Sequence, residues 1–544
     1  MKKLYFILIF MGFTLWANAQ ISNDKYWVQF TDKNNSPYSI DNPEAFLSQR
    51  ALQRRANQGI GIDEYDIPVN PQYLQAVADC GAELINPSKW LNGVTICTSD
   101  PAVIESINAL EFVENIRCCE YNAEAQLIKE RWLAKEMEMT EANVQTRGYY
   151  GGAYTQIDQL NGIALHDSGF TGKDMVIAVL DGGFVGADTH PCFDNMREEG
   201  RLLGTRDFVY HSNNVYTQSP HGCSCLSTIG GYDPQSFVGT APEASFYLIH
   251  TEDGNSENII EEYNWVSGAE YADSLGVDVC STSLGYISFD MSQWNHPFEH
   301  YDGHTAPMTI GAEIAASRGM ICVNSAGNEG DGECTLGIPG DAEHILTIGA
   351  VDERGVRAGF SSVGPTYDGR IKPDVMAMGY NTYVANANGG YSNGSGTSFS
   401  CPVMAGMVTC LWQAFPNATA AEIRDAVRDC ANRAENPDNK YGYGIPDFQK
   451  ALDVLPVQEV VKTDEIIAVY PNPTCGEVHV RLLEGAEANV GVFDYMGRQL
   501  FAYHFNGLNH TTLENGLNEL PTGIYFISVN SESGNQTLKL VITK

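Results

Sequence analysis

Five short apolar runs that contain many β-branched residues recur between longer helical stretches in the middle of the chain, and they restrict its fold more than any other feature. Runs of this kind are typical of strands buried on both faces of a parallel sheet. Strands that alternate with helices imply right-handed βαβ crossovers. We therefore predict a doubly wound α/β domain over residues 152–455, with strands at residues 175–180, 245–249, 277–282, 320–324 and 345–348.

The first 19 residues predict export. A basic start at residues 1–3 precedes an apolar run at residues 4–16 and the small-x-small sequence Ala17-Asn18-Ala19, which together are typical of a secretory signal peptide. An apolar run of about 13 residues is too short to cross a bilayer as a helix. No later segment is longer and equally apolar, so we predict a mature chain without a transmembrane segment.

The charge and the cysteines narrow the choice of partners. With 68 acidic and 32 basic residues, the net charge is −36, which argues against nucleic acid because phosphate binding needs clustered lysine and arginine. The many carboxylates permit calcium. The 14 cysteines show no zinc-site spacing, and several lie in apolar runs, as small buried hydrophobic residues do. A disulfide is compatible with export, but its connectivity cannot be derived from the sequence.

Further regions flank the α/β domain on both sides. Residues 20–121 combine strand-like runs with a basic helical stretch and predict a small α/β domain. Residues 122–151 are polar and helical, and we interpret them as a junction. Residues 456–465 are a linker. Residues 466–544 alternate short strand-like runs with Asn, Gly and Pro turns, which predicts a small β-sandwich.

Four polar residues stand where catalytic groups gather in an open parallel sheet. Asp181 follows the first predicted strand, although an Asp-Gly pair there is commonly only a turn. His221 begins a helical stretch and is either a general base or a structural histidine. Ser398 follows a glycine-rich turn at the start of a buried helix, where it is either a nucleophile or an N-cap. Asn328, on a glycine-flanked turn after a strand, can donate a hydrogen bond to an oxyanion.

These segments resemble the signature sequences of the subtilase family in wording and in order. The matching segments are Asp181-Gly182-Gly183, His221-Gly222, and residues 281–285, 326–328 and 396–398, and the order Asp, His, Ser is that of subtilisin. The resemblance implies a secreted serine endopeptidase in which Ser398 attacks the peptide carbonyl, His221 accepts the proton and Asp181 orients the imidazole. Asn328 would stabilise the oxyanion, and the chemistry would need no cofactor.

The resemblance also implies a cleft for polypeptide substrates. The backbone of Ser283, Leu284 and Gly285 would pair with the bound peptide as an added antiparallel edge. Ala326 and Gly327, in the asparagine turn, would contact the substrate as well.

Gly337 falls where the family has the floor of its main specificity pocket, and a glycine there favours large apolar or aromatic side chains. The chain departs from the family pattern at Cys223-Ser224 and at residues 399–401. We interpret both departures as variation near the pocket. Cys223 or Cys401 would then make the enzyme sensitive to thiol reagents.

The flanking regions carry looser resemblances. Residues 20–121 resemble a subtilase propeptide, which would assist folding and block the cleft until cleavage between residues 122 and 152. The alternative is an accessory domain that stays attached. The last domain resembles the C-terminal sorting domains of the type IX secretion system, at residues 470–474, 492–498 and 521–525. The alternative is a substrate-binding β-module. The implied partners are the chain's own propeptide and the secretion machinery, and the implied location is the cell surface or the medium.

Three functions are compatible with the sequence: a general endopeptidase, a protease that processes a few surface proteins, and a binding protein on an inactive protease scaffold. The intact Asp181, His221, Ser398 and Asn328 argue against the third. Structural calcium is typical of the family. The sequence offers Asp290 and Asp302, in an insertion-like stretch, only as candidate ligands.

Overall fold

A computed structural model describes residues 24–120, 139–141, 148–212, 214–455, 467–470, 474, 478–482, 487–494, 498–506, 510–513, 517–531 and 534–544. The chain divides into two compact units, Met1–Pro456 and Val457–Lys544. The predicted signal peptide and linker lie outside the described residues, as does most of the predicted junction. No helix in the described part of the chain is long and apolar enough to cross a membrane.

The amino-terminal region is a small α/β domain, as predicted. Its elements are β1 (Asp24–Phe30), α1 (Gln49–Asn57), α2 (Pro71–Asp79), β2 (Glu83–Ser88), β3 (Gly93–Thr98), α3 (Pro101–Asn108) and β4 (Val113–Glu120). The four strands form an antiparallel sheet in the order β2-β3-β1-β4. Val28 and Ile96 of the sheet pack with Val77 of α2 and Ile107 of α3 in one buried cluster.

The strands of the next region follow in chain order. They are β5 (Thr140–Glu141), β6 (Val176–Asp181), β7 (Leu202–Asp207), β8 (Tyr232–Asp233), β9 (Phe237–Val238), β10 (Ser245–His250), β11 (Val279–Thr282), β12 (Ile321–Ser325), β13 (Leu346–Val351), β14 (Val375–Met378), β15 (Thr382–Ala385) and β16 (Tyr391–Gly394). Seven of them form one parallel sheet in the order β14-β13-β12-β11-β6-β10-β7.

The helices of this region lie on both faces of the parallel sheet. They are α4 (Tyr154–Asp158), α5 (Ile163–Asp167), α6 (Asp194–Glu198), α7 (His221–Gly230), α8 (Ile260–Leu275), α9 (Pro307–Ser317), α10 (Thr397–Ala414), α11 (Ala420–Asp429) and α12 (Phe448–Val454). Alternate residues of β6 enter two different clusters. Ile177 and Val179 pack with α7 and α10, whereas Ala178 and Leu180 pack with α8 and α9. The predicted doubly wound sheet is therefore confirmed.

Strand β6 is the point at which the strand order reverses, because β10 pairs with one of its edges and β11 with the other. In sheets of this type, ligands bind beyond the carboxyl ends of the strands at such a reversal. The last residue of β6 is Asp181. The topology therefore puts this carboxylate at the position where an active site is expected.

The second unit contains the short antiparallel strands that the sequence predicts. They are β17 (Ile467–Tyr470), β18 (Val478–Leu482), β19 (Glu487–Phe493), β20 (Gln499–Asn506), β21 (His510–Leu513), β22 (Gly523–Ser531) and β23 (Gly534–Ile542). They form two sheets, β17-β18-β21 and β20-β19-β22-β23. Val478 of the first sheet shares a buried cluster with Val490, Ile527 and Leu540 of the second, as in a sandwich.

Two strands of the parallel sheet were not predicted. The first five residues of the edge strand β7 are half-buried or exposed, and it lacks the continuous apolar run used to find the others. Strand β14 has only four residues. Short 3₁₀ turns occur at Pro43–Ala45, Gly148–Tyr150, Pro191–Phe193, Ser292–Trp294, Phe298–His300 and Leu517–Glu519.

Candidate active site

Asp181 and His221 are in direct contact although they lie on different elements. His221 is the first residue of α7, and its Nδ1 lies 2.8 Å from Asp181 Oδ1. The backbone amide of Gly182 donates to the same oxygen over 2.8 Å. An ionised carboxylate can only accept, so His221 donates from Nδ1, and Nε2 is the ring nitrogen that can take up a proton.

Both side chains are almost completely buried, with 0% of Asp181 and 2% of His221 exposed. Burial by itself lowers the pKa of His221, but the adjacent Asp181 carboxylate raises it by more. The net result is a pKa well above the ordinary value of 6.5. The carboxylate therefore stabilises the imidazolium form of this histidine.

Ser398 is the second residue of α10, and a proline four residues later shapes its surroundings. Pro402 has no amide hydrogen, so it cannot donate the helical bond to the Ser398 carbonyl. The hydroxyl of Ser283 donates to that carbonyl instead, over 2.8 Å, and Ser398 Oγ lies 3.3 Å from the carbonyl oxygen of Ser283. The start of the helix is thus tied to the segment after β11.

Cys225 links the histidine to the serine segment. Its sulfur lies 3.8 Å from both ring nitrogens of His221 and 3.3 Å from the Ser398 carbonyl oxygen. The ring centroids of His221 and Phe399 are 6.1 Å apart. These contacts bring His221 and the Ser398 segment together at one edge of the sheet. Burial raises the pKa of the Cys225 thiol to about 11, so this thiol is neutral.

Sequence reasoning missed Cys225 and selected two other cysteines. Cys223 lies in the hydrophobic core, and the Cys401 thiol donates to the Thr282 carbonyl over 3.2 Å. The available signal was helical spacing, because residues i and i+4 share a helix face and Cys225 follows His221 by four.

Asn328 is held against the start of α10. Its Oδ1 accepts from the Thr397 amide over 2.9 Å and lies 3.0 Å from the Thr397 hydroxyl oxygen. A side chain on Gly396 would begin 3.7 Å from both Asn328 Nδ2 and the Ser398 amide nitrogen. Two hydrogen-bond donors thus lie on the same side of this glycine.

The six residues predicted to bind substrate form one continuous wall. Tyr286, directly after Gly285, pairs with Ile338, directly after Gly337, in an antiparallel bridge. The Gly337 amide donates to the Ala326 carbonyl over 3.0 Å. A side chain on Gly337 would start 3.1 Å from the Gly285 Cα, so the backbones meet there only because both residues are glycine.

The remaining predicted members of this wall are also adjacent. A side chain on Gly327 would begin 3.2 Å from the Gly337 amide nitrogen. Asn324 Nδ2 donates to the Leu284 carbonyl over 3.2 Å, and Ser283 contacts Ser398 as described above. The structure therefore brings together all the residues that the resemblance selected.

A short piece of the predicted junction crosses this region. Strand β5 pairs with β16 through Thr140 and Asn393, and β16 leads directly into the turn before Ser398. Met139 packs against Cys225 and Phe399. Residues 139–141 of the junction are therefore extended next to the candidate nucleophile.

The amino-terminal domain packs on α8 through one aromatic pair and a buried ionic cluster. Trp27 stacks on Tyr263 with ring centroids 4.6 Å apart. Asp273 of α8 lies 2.5 Å from Arg54, 2.9 Å from Arg55 and 3.2 Å from Lys89. The aspartate is fully buried, and the three cations hold its pKa well below the ordinary value despite the opposing effect of burial.

The two candidate calcium ligands have other partners. The carboxylate of Asp302 accepts from the amides of His304 and Thr305 over 2.8 and 2.9 Å and closes its own turn. Asp290 Oδ2 accepts from the Glu257 amide over 3.1 Å. Neither aspartate belongs to the groups of convergent ligand atoms in the described part of the chain, which are Asp181 with His221 and Cys225, and Glu252 with Glu257 and Glu261.

Three family models match the chain, one for each region. The subtilase family model matches residues 172–444. A model described as the peptidase S8 propeptide domain of Bacteroidota matches residues 25–135. A model described as a secretion system C-terminal sorting domain matches residues 468–543.

Similar proteins include several bacterial peptidases. The chain is 28% identical to serine protease AprX of Bacillus subtilis (strain 168) over 312 residues, which cover 52% of this chain and 67% of that protein. It is 30% identical to subtilisin NAT of Bacillus subtilis subsp. natto over 300 residues, 54% of this chain and 70% of that protein. Over 300 residues it is 29% identical to subtilisin of Bacillus pumilus, 97% of which is covered.

The doubly wound sheet and these similarities define a serine-type endopeptidase. The chain belongs to the subtilase family. It carries the family's propeptide domain, as a zymogen does, and a type IX sorting domain, which indicates export to the cell surface or the medium. The two looser resemblances in the sequence are thereby confirmed.

Proposed function

We propose that the protein hydrolyses peptide bonds through an acyl-enzyme intermediate, with Ser398 as nucleophile, His221 as general base and acid, and Asp181 as the residue that orients the imidazole. The observation that carries the proposal is the 2.8 Å contact between His221 Nδ1 and Asp181 Oδ1. This contact lies at the carboxyl edge of the sheet, where the Ser398 segment also lies.

In the first half-reaction, Ser398 Oγ bonds to the carbonyl carbon of the substrate while its proton passes to His221 Nε2. The C–N bond then breaks as His221 returns that proton to the leaving amine. In the second half-reaction, water gives a proton to His221 and attacks the acyl carbon. The ester bond breaks, and Ser398 recovers the proton. Asp181 remains ionised throughout and stabilises the imidazolium.

The oxyanion of each tetrahedral intermediate is stabilised by Asn328 Nδ2 and the Ser398 amide. Support comes from the bond between Asn328 Oδ1 and the Thr397 amide, because it fixes the side chain with its NH₂ group away from Thr397. Removal of one such donor slows the reaction by about 10²–10³-fold in subtilisin.

Polypeptide substrates bind along Ser283, Leu284 and Gly285, and a large apolar or aromatic side chain enters the pocket lined by Ala326, Gly327 and Gly337. The propeptide, residues 20–121, stays bound through α8 until cleavage in the junction, residues 122–151. Residues 466–544 are recognised by the secretion machinery, beyond a linker at 456–465, and the catalytic domain covers residues 152–455.

Labelling with a fluorophosphonate probe tests the nucleophile. The processed wild-type protein is expected to react at Ser398, and Ser398→Ala is expected to lose both the label and about 10⁶-fold in kcat, the loss known from subtilisin. Ser395→Ala is the matched control, since it removes a hydroxyl three residues away and leaves the proposed triad intact. Labelling that persists in Ser398→Ala would contradict the proposal, as would a wild-type protein that neither reacts nor cleaves peptides.

A second experiment addresses maturation and selectivity. Mass spectrometry of the secreted form is expected to locate the new amino terminus between residues 122 and 152. Cleavage of a peptide library then distinguishes a general endopeptidase from a processing protease, because only the latter would cut a small, related set of peptides.

A further inference from the structure

Three glutamates converge on one side of the cleft, apart from the proposed catalytic residues. Glu252 and Glu257 lie in the loop between β10 and α8, and Glu261 lies in the first turn of α8. One carboxylate oxygen of each lies within 4.8 Å of those of the other two. Calcium binds oxygen ligands at about 2.4 Å, so pairs of oxygens on one ion are separated by at most about twice that distance. The three carboxylates meet this condition.

The innermost carboxylate has an oxygen that nothing in the described part of the chain satisfies. Glu261 is 1% exposed. Its Oε1 accepts from the Asn258 amide over 3.1 Å, whereas Oε2 is buried and has no hydrogen-bond partner there. Buried polar atoms almost always have a partner. The unpaired oxygen therefore points to a ligand that supplies positive charge.

A second buried polar group lies beside the cluster. Tyr286 is 1% exposed, and its hydroxyl has no hydrogen-bond partner among the described residues. After burial, the strongest influences on this hydroxyl are the charges of Glu252, Glu261 and Glu257. Because Tyr286 directly follows Gly285, the cluster also lies next to the proposed substrate edge.

The strongest charges around Glu261 are acidic. They belong to Glu257, Glu252 and Asp253. Repulsion among carboxylates this close is relieved by a shared cation.

The backbone holds the cluster in place before any ligand arrives. Asp290 accepts from the Glu257 amide over 3.1 Å and donates from its own amide to the Glu257 carbonyl over 2.9 Å. At the other end of the loop, His250 Nε2 lies 2.8 Å from the Glu252 carbonyl oxygen. A side chain on Gly182 would begin 3.9 Å from Glu252, so the cluster adjoins the residue that follows Asp181.

We propose that Glu252, Glu257 and Glu261 bind a divalent cation, with the Tyr286 hydroxyl beside it. A donor set made only of oxygen selects calcium or magnesium, and flexible carboxylates around a fixed loop favour calcium. The bound ion connects the loop after β10 to the start of α8, next to the substrate edge. It therefore stabilises one wall of the cleft against local unfolding.

Terbium luminescence tests the site directly, because tyrosines near a bound lanthanide sensitise its emission. The full chain with Ser398→Ala is used, so that self-digestion plays no part. We expect saturable terbium emission that calcium displaces. Glu257→Gln, which removes one charge at a partly exposed position, should weaken binding about tenfold or more. Tyr286→Phe should leave the affinity within about twofold, because a hydroxyl is a weak ligand compared with a carboxylate.

Glu299→Gln is the matched control, because it makes the same substitution at an exposed residue outside the cluster. The unfolding temperature provides a second readout: calcium should raise it in the parent protein and in Glu299→Gln, but much less in Glu257→Gln.

Three results would overturn the proposal. One is the absence of saturable terbium binding. Another is binding that survives Glu257→Gln and Glu261→Gln but is lost in Asp302→Asn. The last combines two observations: calcium does not bind to the parent protein, and the active enzyme prefers peptides with lysine or arginine but loses that preference in Glu257→Gln. This result would indicate a subsite for a basic side chain. The terbium and unfolding measurements do not depend on catalysis, so their failure is distinct from a failure of the proposed triad.

Discussion

The buried ionic cluster at the propeptide interface predicts that Asp273→Asn weakens inhibition by the propeptide. Asp273 is the shared anion for Arg54, Arg55 and Lys89, and it is fully buried in the zymogen. Loss of one partner from a buried ion pair costs about 3–5 kcal/mol, because the opposite charges are left buried and unpaired. At about 1.4 kcal/mol per tenfold change, inhibition should weaken by between about 10²-fold and about 4 × 10³-fold.

The assay is inhibition of the processed enzyme by separately produced residues 20–120. Asp273→Asn should leave the uninhibited activity nearly unchanged, because all three cationic partners belong to the propeptide and leave with it. Asp429→Asn is the matched control, since Asp429 also lies in the last turn of a helix but is exposed. Inhibition constants within about threefold of each other for the wild type and Asp273→Asn would refute the reasoning.

A double-mutant cycle separates this pairing from a general change of surface charge. Arg54→Met in the propeptide should weaken inhibition of the wild-type enzyme strongly. It should have a smaller effect on Asp273→Asn, because the unpaired cation is then removed. Neighbouring groups that share a partner show such non-additivity, so fully additive effects would exclude direct coupling. Acid should act in the same direction. The pKa of Asp273 is lowered in the complex, so its contribution is present above the ordinary carboxyl pKa and is lost as the pH falls through the lowered value.

Three further predictions concern the active site. The pKa of His221 is raised and the neutral imidazole is the base, so kcat/KM should rise with pH through a value above 6.5. Asp181→Asn should move this rise to lower pH and reduce kcat by about 10⁴-fold, as for the triad aspartate of trypsin-like enzymes. A pH profile that does not move would argue against the pairing of Asp181 with His221. Ser283→Ala leaves the Ser398 carbonyl without its hydroxyl donor and should lower the free energy of unfolding by about 1–3 kcal/mol in denaturant titration. Ser281→Ala should have little effect, because the Ser281 hydroxyl has a 4.0 Å contact with the Cys401 sulfur. Equal losses of stability in the two variants would disprove the role of Ser283. Gly337→Ala would place a methyl group 3.1 Å from the Gly285 Cα. It should therefore displace this wall of the pocket and reduce the preference for aromatic over small side chains about tenfold or more in peptide assays. An unchanged preference would place the pocket elsewhere.

The sequence predicted the catalytic fold well because its central strands are buried on both faces. A strand buried on both faces, such as β6, has a continuous apolar run in its own sequence, and all five strands predicted from such runs are present. Strand β7 lies at the edge of the sheet and most of its residues are half-buried or exposed, so its sequence contains no continuous apolar run. The extended β5 was missed for a similar reason: pairing between Thr140 and Asn393 joins segments about 250 residues apart.

The candidate site divides in the same way. Asp181, His221, Asn328 and Ser398 stand at the ends of predicted strands or helices, where glycine-rich sequences mark them. No glycine-rich sequence precedes or follows Cys225. Its contact with His221 depends on which face of α7 points toward the serine segment. The glutamate cluster was equally invisible, because the loop conformation that brings Glu252 to Glu261 cannot be derived from their spacing.

Helix α8 connects the propeptide with the proposed cation site, and its dipole makes the two ends unequal. Acidic groups at the start of a helix are favourable, as Glu261 is, whereas an acidic group in the last turn is unfavourable. Asp273 lies in that last turn and has three cationic partners from the propeptide. During folding, the propeptide therefore supplies the positive charge that the carboxyl end of this helix lacks. Its removal exposes Asp273 to water, which screens the same charge at little cost. An interface of this kind favours folding of the precursor and still permits release of the propeptide from the mature enzyme.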